Sequence, residues 1–227
     1  MAGIVEKIKG FLFSPSETFD ASKEDTLGDA LKYYIILLLI FASLSAAGAF
    51  SLLAEFFGKL PGMHTLAGAG AAVAFIIVLI YELIELILKA IGGVTLGGLW
   101  LHIWVYLMGG RKGLTQTFKA LMYGATPSLL LGWVPVIGFL AVIWGATPSL
   151  LAWIPDIGFL AVIIWALIVE IIGIRQLHEI STGKAVAAVV LAIIIPLVVL
   201  FVILLPAMMP MIPHGHGIIG HYWHKFR

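Results

Sequence analysis

Four histidines crowd the end of the chain: His214, His216, His221 and His224, in the run HGHGIIGHYWHKFR. Imidazole nitrogens are good ligands for Zn²⁺ or Ni²⁺, and four of them can reach one ion if the segment folds back on itself. Against that, the interspersed glycines make the stretch flexible and no carboxylate stands by to orient the rings. Tyr222, Trp223, Lys225 and Arg227 also suit an interfacial tail. A second group is Glu82, Glu85 and Lys89, at i, i+3 and i+7 of an otherwise apolar segment. Ionisable side chains inside a membrane mark ion or solute paths. The competing reading is local, because Glu85 and Lys89 at i, i+4 can pair near the membrane surface. His102, among Trp100, Trp104 and Tyr106, fits either a proton relay completing such a path or a hydrogen-bonded interfacial imidazole. Glu170 and Arg175 sit where a helix end lets long side chains reach the interface.

Enzyme signatures are missing. His178-Glu179 lacks the second histidine of a zinc-protease helix, and there is neither a Gly-x-Ser-x-Gly elbow nor a Gly-x-x-x-x-Gly-Lys phosphate loop. Without cysteine there is no thiolate nucleophile and no disulfide framework. The residues therefore point to a protein that is not an enzyme and carries no cofactor.

What must position these groups is a membrane domain. Apolar residues make up 62% of the 227 and charged ones 11%, against about 45–50% and about 25% in soluble domains. The expected fold is all-α, a polytopic transmembrane bundle of five to seven spans with the lipid bilayer as its first partner. A formal net charge of +1, with no basic run interleaved with aromatics, argues against nucleic acid.

The domain organisation follows from where charge and apolarity change. Residues 1–30 read as an interfacial N-terminal segment. Ile4, Val5, Ile8, Phe11 and Leu12 lie on one helical face, opposite Glu6, Lys7 and Lys9. Ser14-Pro15-Ser16-Glu17 then reads as the cap of a second short helix, and Ser22 with Asp25 as the cap before a first span near 31–53. Residues 31–207 read as the membrane domain and 208–227 as a histidine-rich tail. Within the former, 69–108 is twice too long for one straight span and is expected to break at Gly92-Gly93. Helices near 116–133, 136–153, 157–173 and 185–206 complete the set. Pro127 and Pro148 fall inside helices and Pro135 and Pro155 between them.

Residues 124–144, GATPSLLLGWVPVIGFLAVIW, are followed at once by GATPSLLAWIPDIGFLAVIIW at 145–165. Each copy is long enough to cross a bilayer, so an added copy can reverse the side on which the rest lies. The three basic loops are residues 1–32, 109–119 and 174–184, and such loops prefer the cytoplasm. Because Gly92-Gly93 divides 69–108 into two crossings and both copies are apolar throughout, seven spans are expected, with the C-terminus outside and 109–119 on the side opposite 174–184. If the region from 120 to 173 is a net hairpin, all three loops share one side.

The stretches FLFSPSETF at 11–19, YLMGGRKGLTQTFKALMYGATPSLLLGWVP at 106–135 and IGIRQLHEISTGKA at 172–185 resemble the Yip-domain integral membrane proteins, the Ypt/Rab-interacting group. The residues carrying the resemblance are Pro15, Phe19, Gly109, Gly110, Tyr123, Pro127, Trp133, Pro135, Trp153 and Pro155. The resemblance implies about five spans, a cytosolic N-terminus and no catalytic residues. In eukaryotic members it also implies a small prenylated Rab GTPase as partner. The short N-terminal region resembles prokaryotic members, which places the protein in a prokaryotic cell membrane, with homo-oligomers as a further expectation. The leading functional expectation is a protein that organises or recruits partners at the membrane. The alternative is a small channel or transporter for an ion or small solute, using Glu82, Glu85 and His102.

Overall fold

The computed structural model describes residues 3–59, 67–134 and 154–208, and every regular element among them is a helix. Helices α1 (Ile4–Phe13) and α2 (Pro15–Ala21) form a short hairpin. Pro15 opens α2, where its missing N–H is one that the helix could not have used. The Ser14 side chain makes no capping bond; instead its carbonyl accepts the Thr18 N–H and, at 2.8 Å, the Thr18 hydroxyl. Gly10 faces Thr18 so closely that a Cβ would collide with it, which is what lets the two helices fold back on each other.

Helix α3 (Leu27–Lys59) is capped by Thr26 and Asp29 rather than by Ser22 and Asp25. The Thr26 N–H donates to the Asp29 carboxylate at 3.1 Å, and the Asp29 N–H returns to the Thr26 hydroxyl at 3.2 Å. This is the reciprocal arrangement of a capping box. Ser22 instead ends α2, and Asp25 is drawn away by partners from other segments.

The expected break at Gly92-Gly93 does not occur. Helix α4 (Ala67–Leu88) runs through a π-helical segment, Lys89–Gly97, directly into α5 (Gly98–Leu107). Widening the helix to i→i+5 bonding keeps paired the backbone groups that a break would have freed. Neither Gly92 nor Gly93 has a neighbour that a Cβ would meet, whereas Gly98 is pressed against the Phe118 ring. Residues 67–107 therefore form one continuous helical run.

The turn after α5 uses Gly109 at φ +96° and brings the Gly110 N–H onto the Val105 carbonyl at 2.8 Å. The helix expected at 116–133 is two pieces, α6 (Leu114–Gly124) and α7 (Thr126–Leu131). Pro127 starts α7 instead of lying inside a helix, so no helical hydrogen bond is lost. Helix α8 (Ile154–His178) carries Pro155 in its first turn, and α9 (Thr182–Met208) follows. Pro135, Pro148, Trp153 and the helix expected at 136–153 lie outside the described residues.

Three of the described helical stretches are long and apolar enough to cross a membrane: Leu27–Gly48, Asp156–His178 and Thr182–Leu205. The chain divides within α9 into two units, Met1–Val189 and Val190–Arg227. In the first, α3 packs on α4 and α6, and α8 packs on α2, α6 and α7. Its interior holds Phe11, Phe19, Tyr33, Leu37, Tyr123, Val169 and Ile174. In the second, α9 exposes Leu197, Phe201 and Ile203, a surface suited to lipid chains.

Candidate functional site

One end of the first unit gathers the groups that the sequence scatters. Phe11 from α1 stacks on Tyr123 from α6 with ring centroids 4.6 Å apart and meets Phe19 from α2 edge-on at 4.8 Å. Tyr33 from α3 closes the cluster 5.2 Å from Tyr123. These edge-to-face and offset contacts suit the ring quadrupoles. Gly173 on α8 abuts the Phe19 ring, where a Cβ would come within 2.6 Å of it. Gly124 likewise brings α6 onto α8, since its Cβ would lie 2.9 Å from the Glu170 Cα.

Polar groups bind this aromatic cluster at its edge. The Tyr123 hydroxyl donates to Asp25 at 2.6 Å, and the Lys7 ammonium reaches the same carboxylate at 2.5 Å. Burial alone would raise the Asp25 carboxyl, but the hydrogen bonds from Lys7 and Tyr123 and the Lys7 charge outweigh it and hold the group below its usual value. Lys119, fully buried, donates to the Lys23 carbonyl at 2.7 Å. Arg175 donates to the Ser16 hydroxyl at 3.0 Å and Gln176 to Asp20 at 3.2 Å, which ties α8 to the hairpin. Lys112 pairs with Glu179 at 2.6 Å.

The last contact corrects the topology. Side chains 2.6 Å apart cannot lie on opposite sides of a hydrocarbon layer about 30 Å thick. The loops 109–119 and 174–184 therefore share a face, where the seven-span expectation had placed them on opposite sides. Through Lys119 and Arg175 the N-terminal segment joins the same face.

The solute-path residues do not form one site. Glu85 pairs with Lys89 at 2.7 Å, and Glu82 lies beside them. His102 belongs elsewhere, on the order of 25–30 Å along the same helical run. Its Nδ1 is 2.7 Å from the Thr117 hydroxyl, which is 2.9 Å from His178 Nε2. Thr117 is fully buried and thus bridges two imidazoles, each able to donate or accept. Sequence reasoning weighed His178 only as part of a protease motif and passed over Thr117. The one available signal was that both lie in the stretches carrying the family resemblance. Trp133 donates its indole N–H to the Leu130 carbonyl at 2.8 Å, a local structural bond. His214, His216, His221 and His224 lie outside the described residues. Among the described ones, no group of three or more His, Asp or Glu side chains is arranged to hold a metal ion.

Apolar helices long enough to span, packed against a docked N-terminal hairpin, define an all-α integral membrane protein. More narrowly, the Yip1 domain matches residues 9–204, and the chain belongs to that family. No curated protein and no solved structure matches it.

Proposed function

We propose that this protein is a non-enzymatic organiser of the membrane that recruits protein partners through the face carrying the α1–α2 hairpin. The observation that carries the reading is the anchoring of that hairpin. Lys7, Phe11, Ser16 and Phe19 tie it to α3, α6 and α8, while Val5 and Phe13 are left exposed, at 59% and 75%. An interfacial anchor alone needs no such fixed docking; a binding platform does, because pre-organisation lowers the cost of association. The clustering of Lys7, Lys23, Arg111, Lys112, Lys119 and Arg175 in the three basic loops supports a cytosolic orientation of this face, in the cell membrane of a prokaryote. In a eukaryotic cell a small GTPase would be the partner to test.

The reading includes five crossings: α3, the α4–α5 run, an outward and a return pass between Lys112 and Glu179, and α9. Single cysteines in this cysteine-free chain test it, at Val5, Thr115, Ser181 and Gly217, probed with an impermeant thiol reagent. The first three should label from one side and Gly217 from the other; Thr115 and Ser181 labelling from opposite sides would refute the arrangement. Recruitment is tested with a photo-crosslinking residue at Val5 or Phe13 in intact cells. Discrete protein adducts that vanish in Asp25→Asn are expected, and adducts to lipid alone would count against the proposal. The channel or transporter reading is supported only by the α4 carboxylates, with His102 too distant to share a path with them.

A further inference from the structure

Away from the Tyr123 cluster, the first unit contains a cavity of about 510 Å³ between α3, α4, α7 and α8. Tyr34, Phe41, Ser45, Glu82, Glu85 and Lys89 line it together with Ser128 and apolar side chains of α7 and α8. Ser45 lies about 16 Å along α3 from Tyr34 at helical rise, so the cavity reaches into the hydrocarbon depth.

Two of its polar groups make no hydrogen bond among the described residues. Glu82 is only 9% exposed and makes no hydrogen bond or ion pair among the described residues. Ser45 is 4% exposed, and its hydroxyl has no partner. Ser43 and Ser51 on the same helix instead donate to the Leu39 and Ala47 carbonyls, so the orphaned hydroxyl is particular to the position facing the cavity. A buried carboxylate and a buried hydroxyl are both costly when unsatisfied, and both accept hydrogen bonds. The cavity also shows what kind of group it tolerates. The Lys89 ammonium sits 4.3 Å from the Phe41 ring centroid and pairs with Glu85. With Lys89 paired to Glu85, Glu82 is the cavity carboxyl that has no ion-pair partner, beside further aromatic walls. Carboxylate and aromatic faces together favour an ammonium ion over an anion or a neutral solute.

We propose that this cavity binds a primary ammonium group, held by the Glu82 carboxylate with the Ser45 hydroxyl as a further acceptor. The group can come from a small alkylamine or from the headgroup of an ethanolamine lipid. Binding here does not depend on partner recruitment by the hairpin face, so failure of either leaves the other standing.

The test uses the full chain in nanodiscs of phosphatidylcholine and phosphatidylglycerol, titrated with n-butylammonium chloride by calorimetry. Saturable binding is expected, weakened about tenfold or more in Glu82→Gln and about threefold in Ser45→Ala. Choline, which has no N–H to donate, should bind more weakly than butylammonium, and 1-pentanol, neutral and of similar length, should not compete. Equal affinity in E82Q, effective competition by 1-pentanol or absence of saturable binding would each overturn the proposal. If circular dichroism shows E82Q misfolded, Ser45→Leu, which places an apolar side chain in the cavity, must abolish binding; retained binding overturns the site. Adding phosphatidylethanolamine decides the source. A weaker apparent affinity for butylammonium assigns the cavity to the lipid headgroup, an unchanged one to a soluble amine, and either result supports the site.

Discussion

Two lysine–carboxylate pairs in this molecule have the same chemistry and very different reach. Lys89 and Glu85 lie one turn apart on one helical run, with side chains 36% and 31% exposed. Lys7 and Asp25 come from a hairpin and a loop, are 18% and 21% exposed, and share their carboxylate with Tyr123 from α6. The first pair needs only helical periodicity to form. The second forms only when α1, α2, α3 and α6 have already converged around the stacked rings of Phe11 and Tyr123. What the difference teaches is that the worth of an ion pair here lies in which segments it joins. A local pair decorates an element that exists without it, whereas the Asp25 group joins the hairpin to α6 beside the buried Phe11 and Phe19 rings.

The sharpest way to break the comparison is Tyr123→Ala, which removes three ring contacts and the bond to Asp25 at once. Truncation of a buried aromatic should destabilise the protein by about 3–5 kcal/mol, read by SDS titration of the purified protein in mild detergent. A loss below about 1 kcal/mol would mean the cluster does not hold the fold.

Asp25→Asn comes next, at about 1.5–3 kcal/mol for hydrogen bonds to a charged group. It also carries a pH signature. Because the folded carboxyl lies below its unfolded value near 3.9, its contribution is complete above that value and is lost as pH falls through the lower folded one. Wild-type stability should therefore drop on acidification below about pH 4, and D25N should show a shallower drop. Parallel acid profiles would show that Asp25 is not the group responsible.

Gly173→Ala forces the Phe19 ring aside and should cost about 1–3 kcal/mol, with Phe19→Leu in the same background recovering part of it. At the small end stands Glu85→Gln, which should cost no more than about 0.5 kcal/mol. A loss above about 2 kcal/mol would erase the distinction between the two pairs.

The sequence by itself determined the class of the protein, because apolar composition and run length are properties that a bilayer reads directly. It also fixed the amphipathic α1, the start of α2 at Pro15, the approximate position of α3, α8 and α9, and the family motifs. All of these depend on neighbours within a turn or two. It misplaced what depends on competition between local options. The cap of α3 went to Thr26 and Asp29 because Asp25 found stronger partners in Lys7 and Tyr123. The glycine pair at 92–93 did not break its helix, because i→i+5 bonding through Lys89–Gly97 keeps the backbone groups paired. Only the tertiary structure decided that Thr117 joins His102 to His178, and that Ser45 and Glu82 face one cavity. It alone brought Lys112 onto Glu179 and so put both basic loops on one face. Hydrophobic periodicity reports which side of a helix is buried, but not which distant residue it is buried against; that is settled by packing among all the helices at once.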